Sequence, residues 1–250
     1  MTMHVVGYEL SASEAALTAI TPIPDGTVVV SGNDIRVPTQ LPNVACVAAM
    51  INSSAATLRV QMQSPSLRAT LNHDVSPINN GLVFGSLPRL NRLWTHPLPL
   101  KPLEGLDAYV QNGAAVMNRV FITFSDGPVM PIASGNIYTI RATAAASLAT
   151  ATWVNGALTL SQTLPAGHYQ CVGFRSWSAN GVYARIFFIG SPWRPGAPML
   201  NAEDNNEWGD FRYGQTGVWG EFDNTTQPSV DFMGITDTAQ VVFLDLIKVS

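Results

Sequence analysis

Charged side chains are scarce in this 250-residue chain, where Asp, Glu, Lys and Arg make up 12% of the residues. Typical soluble domains contain roughly 25%. Hydrophobic residues make up 46%, so the charges are too few to cover two independent solvated surfaces, and we expect much of the surface to be buried against other chains. The net charge is −4 and neither half is positively charged. This argues against direct, sequence-specific nucleic-acid binding, which needs a basic surface.

Long hydrophobic runs and cysteines are also scarce. No run approaches the roughly 18 apolar residues that cross a bilayer, and the N-terminal segment lacks the basic start and continuous apolar stretch of a secretory signal. The two cysteines, Cys46 and Cys171, occupy equivalent places in the internal repeat described below. They should therefore lie in separate domains, beyond the reach of a disulfide, and we predict two buried free thiols.

The motifs of catalysis and cofactor binding are missing as well. The histidines at positions 4, 73, 96 and 168 have no metal-pair spacing, and the clustered histidines and glutamate of a bicupin do not occur. There is no G-x-S-x-G elbow, no Walker loop and no C-x-x-C motif. The sequence therefore predicts a protein that is not an enzyme, with no catalytic residues, no cofactor and no metal site.

What the sequence does contain is an internal repeat. Residues 41–68 and 164–194 both run from Leu-Pro through an apolar run with Cys-Val, a turn and a second run that holds one arginine, to Ser-Pro and a further arginine. The agreement continues outward at nearly constant offset, with residues 30–42 matching 154–165, 80–87 matching 216–222, and 106–124 matching 230–247. Chance rarely arranges such a series. We predict two diverged copies of a unit of about 125 residues, a common domain size, covering residues 1–127 and 128–250.

Short hydrophobic runs separated by Gly, Asn, Ser or Pro predict strands along nearly the whole chain. The strongest hairpin signal is Asn155-Gly156, and the one clear helix start is the capping box of Ser11 and Glu14, where a strand is the alternative. Each copy offers about eight strands and no helix long enough to cover a sheet, so the strands must pack sheet against sheet. Long connections between some of them are typical of a jelly roll.

The two copies differ most in their connecting segments, where binding residues often lie. The first copy carries a proline-rich segment, residues 87–104, with Arg89, Arg92, Trp94 and His96. Trp and Arg are enriched in the cores of interfaces, so we predict that these residues contact another subunit. A nucleic-acid patch is the alternative, but two arginines are too few to indicate one.

The second copy carries an acidic and aromatic segment, residues 201–215, that ends shortly before Trp219. We predict that Trp208, Phe211, Tyr213 and Trp219 form an outer contact surface. Packing of these aromatics onto their own sandwich is one alternative, and stacking against sugars is another. The carboxylates of the segment lack the order of a calcium-binding loop, which favours a solvated loop over a calcium site.

The duplicated unit, residues 30–124 and 154–247, with its short strands and few charges, resembles the double jelly-roll major capsid proteins of icosahedral viruses, bacteriophages among them, many of which have an internal membrane. The resemblance implies an all-β fold of two tandem eight-stranded jelly-roll sandwiches side by side. It also implies a homotrimer of pseudo-hexagonal outline, a capsomer that tiles the virion shell after assembly in the host cytoplasm. The partners would be neighbouring capsomers, minor capsid proteins and an internal membrane, and Trp208 to Trp219 would then lie on the outer face or against a neighbouring capsomer.

A second interpretation comes from a different class of protein. The aromatic and acidic segment of the second copy is also typical of a two-domain jelly-roll protein that binds or modifies carbohydrate. Binding of glycans by a monomer would favour that interpretation, whereas trimers or shells would favour the capsid.

Overall fold

The computed structural model describes residues 2–12, 14–51, 58–69, 71–78, 88–112, 116–132, 134–200 and 209–250. Strands dominate these residues, which otherwise contain the four-residue helix α1 (Pro65–Arg68) and one 3-10 turn (Gly209–Phe211). None of the helical segments in these ranges has the length and hydropathy to cross a bilayer. The chain divides into two compact units, which we call the N-terminal unit (Val5–Pro128) and the C-terminal unit (Val129–Ser250 with Met1–His4).

Two antiparallel sheets form the N-terminal unit. Its strands are β1 (Met3–Ala12), β2 (Thr18–Ala19), β3 (Thr21–Pro22), β4 (Val30–Ser31), β5 (Asp34–Arg36), β6 (Asn43–Ile51), β7 (Leu58–Gln63), β8 (His73–Ile78), β9 (Arg89–Arg92), β10 (Leu98–Pro99), β11 (Gly105–Gln111) and β12 (Val116–Ser125). One sheet has the order β10-β6-β12-β1-β3, and β9 also pairs with β6. The other has the order β4-β5-β11-β7-β8, and β2 also pairs with β11.

The C-terminal unit is built in the same way. Its strands are β13 (Tyr138–Ala144), β14 (Val154–Ala157), β15 (Thr159–Leu160), β16 (His168–Trp177), β17 (Gly181–Phe187), β18 (Gly196–Pro198), β19 (Gly220–Asp223), β20 (Ser229–Gly234) and β21 (Gln240–Lys248). One sheet has the order β15-β13-β21-β16-β19 and the other β14-β20-β17-β18.

Both units have the strand order of a jelly roll. If the eight main strands of a unit are numbered along the chain, the first, eighth, third and sixth form one sheet, and the second, seventh, fourth and fifth form the other. In the C-terminal unit these sheets are β13-β21-β16-β19 and β14-β20-β17-β18. In the N-terminal unit they are β1-β12-β6-β10 and β5-β11-β7-β8. The predicted fold, all-β with two tandem eight-stranded jelly rolls, is confirmed.

The sequence repeat coincides with this strand order. The matched segments 41–68 and 164–194 contain β6-β7 and β16-β17, and the segments 106–124 and 230–247 cover all but the outermost residues of β11-β12 and β20-β21. Cys46 and Cys171 lie on the equivalent strands β6 and β16, and both are buried thiols that form no disulfide, as predicted. Burial raises the pKa of the Cys171 thiol to about 12, so this side chain acts as a small hydrophobic group.

The predicted hairpin at Asn155-Gly156 is wrong. Both residues lie inside strand β14, where Gly156 is opposite Val230 of β20. A Cβ at Gly156 would come within 3.2 Å of the Phe232 ring, so glycine is needed here for close packing and not for a turn. The amide of Asn155 donates to Asp231 Oδ1 at 2.8 Å, which ties the strand to its neighbour.

Of the two alternatives for the segment that starts at Ser11, the strand forms, because β1 continues to Ala12. The backbone of Glu14 is instead held by Asn112, whose side-chain oxygen accepts the Glu14 N–H at 2.8 Å and whose own N–H donates to the Glu14 carbonyl at 2.8 Å. The α-helix that does form begins after Ser64, whose hydroxyl accepts a first-turn N–H at 3.2 Å, and has Pro65 in its first turn. These are favourable N-terminal residues for a helix.

Candidate interaction surfaces

The predicted subunit-contact residues of the first copy lie along one sheet edge of the N-terminal unit. Strands β9 and β10 both pair with β6, and the chain between them leaves the sheet as a turn. Arg89 and Arg92 are the end residues of β9, and Trp94 and His96 belong to the turn. The side chains of Arg92 and His96 are exposed, and that of Trp94 is half-buried. The structure therefore brings these four positions onto one edge.

This edge is unsuited to pairing with a strand of another chain. Pro97 and Pro99 lack an N–H group, and the turn interrupts the edge strand. The turn is held at both ends, because Leu93 N donates to the Ala45 carbonyl at 2.9 Å and Leu100 N donates to the Pro42 carbonyl at 2.8 Å. Contacts made at this edge would therefore come from side chains on the turn.

The predicted outer surface of the second copy is smaller than expected. Trp208 lies outside the described residues. Phe211 is 1% and Trp219 5% exposed, and their rings pack edge to face at 6.2 Å. Their side chains therefore pack onto their own unit, which corrects the expectation that they supply outer contacts. Tyr213, which is 49% exposed, is the member of the set with a ring available at the surface.

A buried ion pair holds this segment against the sheet. Residues 209–217, which we call the strap, cover Asp245 of β21. Arg212 donates to the two carboxylate oxygens of Asp245 at 2.6 and 2.9 Å, and the Tyr213 N–H donates to the same carboxylate at 2.9 Å. Arg212 is 2% and Asp245 0% exposed. Gly173 allows the close approach, because a Cβ there would lie 2.9 Å from the Arg212 Cα. A paired and fully hydrogen-bonded charge of this kind fixes the position of the strap.

The sequence interpretation missed this pair, although a signal was present. Asp245 is an acidic residue inside the hydrophobic strand β21, and a buried carboxylate needs a cationic or hydrogen-bonding partner. Which arginine supplies it depends on the tertiary fold.

Two acidic side chains meet in the N-terminal unit. The register of β5 and β11 places Ile35 opposite Leu106, so Asp34 is opposite Asp107. Burial, a hydrogen bond with the Asp34 carboxyl group and the charge of Asp34 raise the pKa of Asp107 from 3.8 to about 7, and Arg68 and Arg36 oppose this rise. Near neutral pH the Asp107 carboxyl group is therefore partly protonated.

At the equivalent position of the C-terminal unit, the aspartate is paired with arginines and not with a second aspartate. The repeat matches Asp107 with Asp231. Asp231 accepts hydrogen bonds from Arg185 Nε at 3.0 Å and from an Arg194 terminal nitrogen at 2.8 Å. The Arg185 guanidinium is fully buried and lies 4.2 Å from the centre of the Trp153 ring. The repeated arginines of the second copy thus form a structural ion-pair network.

A further charged cluster lies on strand β19, at the edge of its sheet. His168 of β16 contacts Asp223 through Nδ1 at 3.0 Å and Glu221 through Nε2 at 3.1 Å. Both carboxylates raise the pKa of His168, the Glu221 contact most. Among the described residues, no group of three or more His, Cys, Asp or Glu side chains could hold a metal ion. The cluster is a charged patch that protects a sheet edge.

No protein-family model matches the chain, and no curated protein sequence matches it. Solved structures with weak similarity include the PBSX exported protein XepA, with 8% identity and a TM-score of 0.28 over 98% of this chain and 86% of that one. They also include the STIV MCP, a viral major capsid protein, with 10% identity and a TM-score of 0.25 over 98% of this chain and 97% of that one. Similarity this weak says nothing about activity, and the strand order by itself establishes the fold.

Proposed function

We propose that the chain is a structural protein of a viral capsid, a major capsid protein that acts by assembly and not by catalysis. The observation that supports this is the tandem repetition of one jelly roll, strand by strand, within a single chain. If the two units stand side by side, a trimer of such chains presents six similar walls, a pseudo-hexagonal block that can tile an icosahedral shell. The low fraction of charged residues, 12%, suits a chain that buries several large interfaces.

The proposed trimer contact is the edge that carries Arg89, Arg92, Trp94 and His96. Support comes from the position of Trp94 and His96 in a turn at this edge of the sheet, and from the prolines, which leave side chains as the means of contact. On the outer or inter-capsomer surface, Tyr213 is the proposed contact residue, because the strap presents its ring at the surface. The remaining partners in this proposal are neighbouring capsomers, minor capsid proteins and an internal membrane, in a virion assembled in the host cytoplasm.

The carbohydrate-binding alternative has lost most of its basis. It relied on aromatic faces that could stack on sugar rings, and Phe211 and Trp219 are buried in their own unit. Tyr213 alone remains exposed among the described aromatics of that set.

Light scattering after size exclusion, combined with negative-stain electron microscopy, tests the proposal. We expect a mass three times the chain's 26.8 kDa and particles of hexagonal outline. Trp94→Ala should lower the trimer mass toward that of the monomer, because truncation of a central interface aromatic often costs 2 kcal/mol or more, ~30-fold in affinity. Leu71→Ala, which removes a 79% exposed side chain elsewhere in the same unit, is the matched control.

Two outcomes would contradict the proposal. A monomer at all concentrations that binds glycans in an array would favour the carbohydrate alternative. A trimer that Trp94→Ala leaves intact would remove the edge from the assembly interface.

A further inference from the structure

A cavity of about 340 Å³ opens at one end of the C-terminal jelly roll. Its walls come from the start of β13, the start of β16, the end of β21 and the loop of residues 162–165. Tyr138 is paired with Leu246, and Tyr169 with Lys248. Because side chains alternate along a strand, Tyr138 and Ile140 share a face with Leu246 and Lys248. That face is the core face of the sheet, so the cavity continues the hydrophobic interior outward.

The interior of the cavity is apolar and well supported. Ile140, Leu164 and Leu246 line it and are 6%, 6% and 1% exposed. Tyr169 forms a fixed wall, because its hydroxyl donates to the Pro165 carbonyl at 2.7 Å and its ring stacks at 5.8 Å on Phe222 of the neighbouring strand. Pockets that bind small molecules share this combination of a mainly apolar lining, a few polar groups and a volume of about 300–1,000 Å³.

The entrance adds an aromatic ring and one positive charge. Tyr138 is 56% exposed, which is unusual for a large ring on the core side of a strand. Lys248 lines the same cavity, and among the described residues its ammonium group has no ion pair or hydrogen bond. A Cβ at Gly167 would lie 2.5 Å from the Lys248 Cε, so the stem of this lysine rests against the glycine backbone. An apolar cavity with a cation at its rim matches a ligand with an apolar body and an anionic end.

We propose that this cavity binds an amphiphile that has one aliphatic chain and a single anionic head, of the class of medium-chain carboxylates. The aliphatic chain of the ligand would replace water against Ile140, Leu164 and Leu246, and its anionic head would accept a charge-assisted hydrogen bond from Lys248. One water molecule occupies roughly 30 Å³ in the liquid. If each heavy atom of the ligand takes the same volume, the cavity holds about eleven heavy atoms. Nonanoate and decanoate have this size. The proposal does not depend on the capsid function.

Titration calorimetry with decanoate and with 1-decanol on the full chain tests the two parts of the site. The wild-type protein should bind both, with decanoate about tenfold tighter because of its charge. Lys248→Met keeps the stem and removes the charge, so it should weaken decanoate about tenfold and leave 1-decanol unchanged. Ile140→Phe should weaken both by filling the cavity, with its thermal unfolding measured to check the fold. Lys101→Met, at the other lysine of the chain, is the matched control and should change neither.

The same two lysines provide a second measurement. Because the chain has lysine only at positions 101 and 248, acetylation followed by mass spectrometry measures the labelling rate of each lysine separately. Decanoate should slow the labelling of Lys248 several-fold and leave that of Lys101 unchanged. If vesicles of phosphatidylglycerol also slow the acetylation of Lys248, the natural ligand is an anionic lipid of a bilayer. If decanoate slows it and the vesicles do not, the ligand is a free carboxylate.

Three results would overturn the proposal. These are the absence of saturable decanoate binding to the wild-type chain, equal affinity for decanoate and 1-decanol, and labelling of Lys248 that decanoate does not slow.

Discussion

Asp34 and Asp107 face each other on the adjacent strands β5 and β11, and like charges in directly opposite positions destabilise a sheet. Burial and the hydrogen bond with Asp34 raise the pKa of Asp107 to about 7. Asp107→Asn keeps the shape of the side chain and removes its titration. We therefore expect this variant to lose a pH dependence of stability that the wild-type protein shows between about pH 4 and pH 7.

The sign and size follow from proton linkage. In that pH range the native protein keeps a proton on Asp107 that the unfolded chain releases, so the free energy of unfolding falls as the pH rises and levels off above about pH 7. A pKa rise from 3.8 to about 7 corresponds to roughly 4 kcal/mol. Asp107 is only partly buried, so solvent screening reduces the expected loss to about 1–2 kcal/mol. The Asn variant should therefore exceed the wild type in stability by that amount near pH 8 and match it near pH 4.

Urea unfolding at about pH 4.5, 6 and 8 measures this difference. Asp74→Asn in the same unit is the matched control, because the hydrogen bond from Arg59 lowers the pKa of Asp74. The stability that Asp74 contributes is present at neutral pH and is lost as the pH falls, the opposite sign. If Asp107→Asn and the wild type lose the same stability between pH 4.5 and pH 8, the raised pKa of Asp107 is not a feature of the folded protein.

Other expectations follow from the buried groups. Arg212→Met leaves the Asp245 carboxylate buried without its main partner and should lower the free energy of unfolding in urea by about 3–5 kcal/mol. The double variant Arg212→Met with Asp245→Leu should recover most of that loss, and an equal loss in the single and double variants would contradict the ion-pair account. Gly156→Val should lower the melting temperature by overpacking, a cost of about 1–3 kcal/mol, and an unchanged value would contradict the close packing. Cys46 and Cys171 should resist a disulfide reagent at pH 8 until urea unfolds the chain; rapid labelling of the native protein would show accessible thiols.

The predictions that succeeded rest on local patterns repeated along the chain. Central strands β6 and β16 contain Cys46 and Cys171 in hydrophobic runs, and the same types of residue recur around both. Strand periodicity and a tandem repeat are readable from a sequence because each depends on neighbouring residues or on a constant offset. For the contact residues, the proline-rich segment forms two short edge strands and a turn, and the contacts themselves stay a prediction.

The predictions that failed depended on contacts between distant residues. Asn155-Gly156 is a common turn pair, but the ring of Phe232 and the carboxylate of Asp231 make it part of a strand. Phe211 and Trp219 were expected at the surface, and they pack against each other in their own unit. Local propensity favours a conformation only weakly, and tertiary packing overrides it where a buried ring or charge needs a partner.

The sequence by itself determined an all-β chain, its two copies and the burial of both thiols, because strand periodicity, turn residues and repeats are properties of the chain's order. Only the tertiary structure decided that Asp107 faces Asp34 whereas its counterpart Asp231 binds two arginines, and that Arg212 holds the strap on Asp245. The physical reason is that a charge in a sheet takes its protonation state and its partner from whichever side chains the fold brings within a few ångströms, and these come from remote parts of the chain.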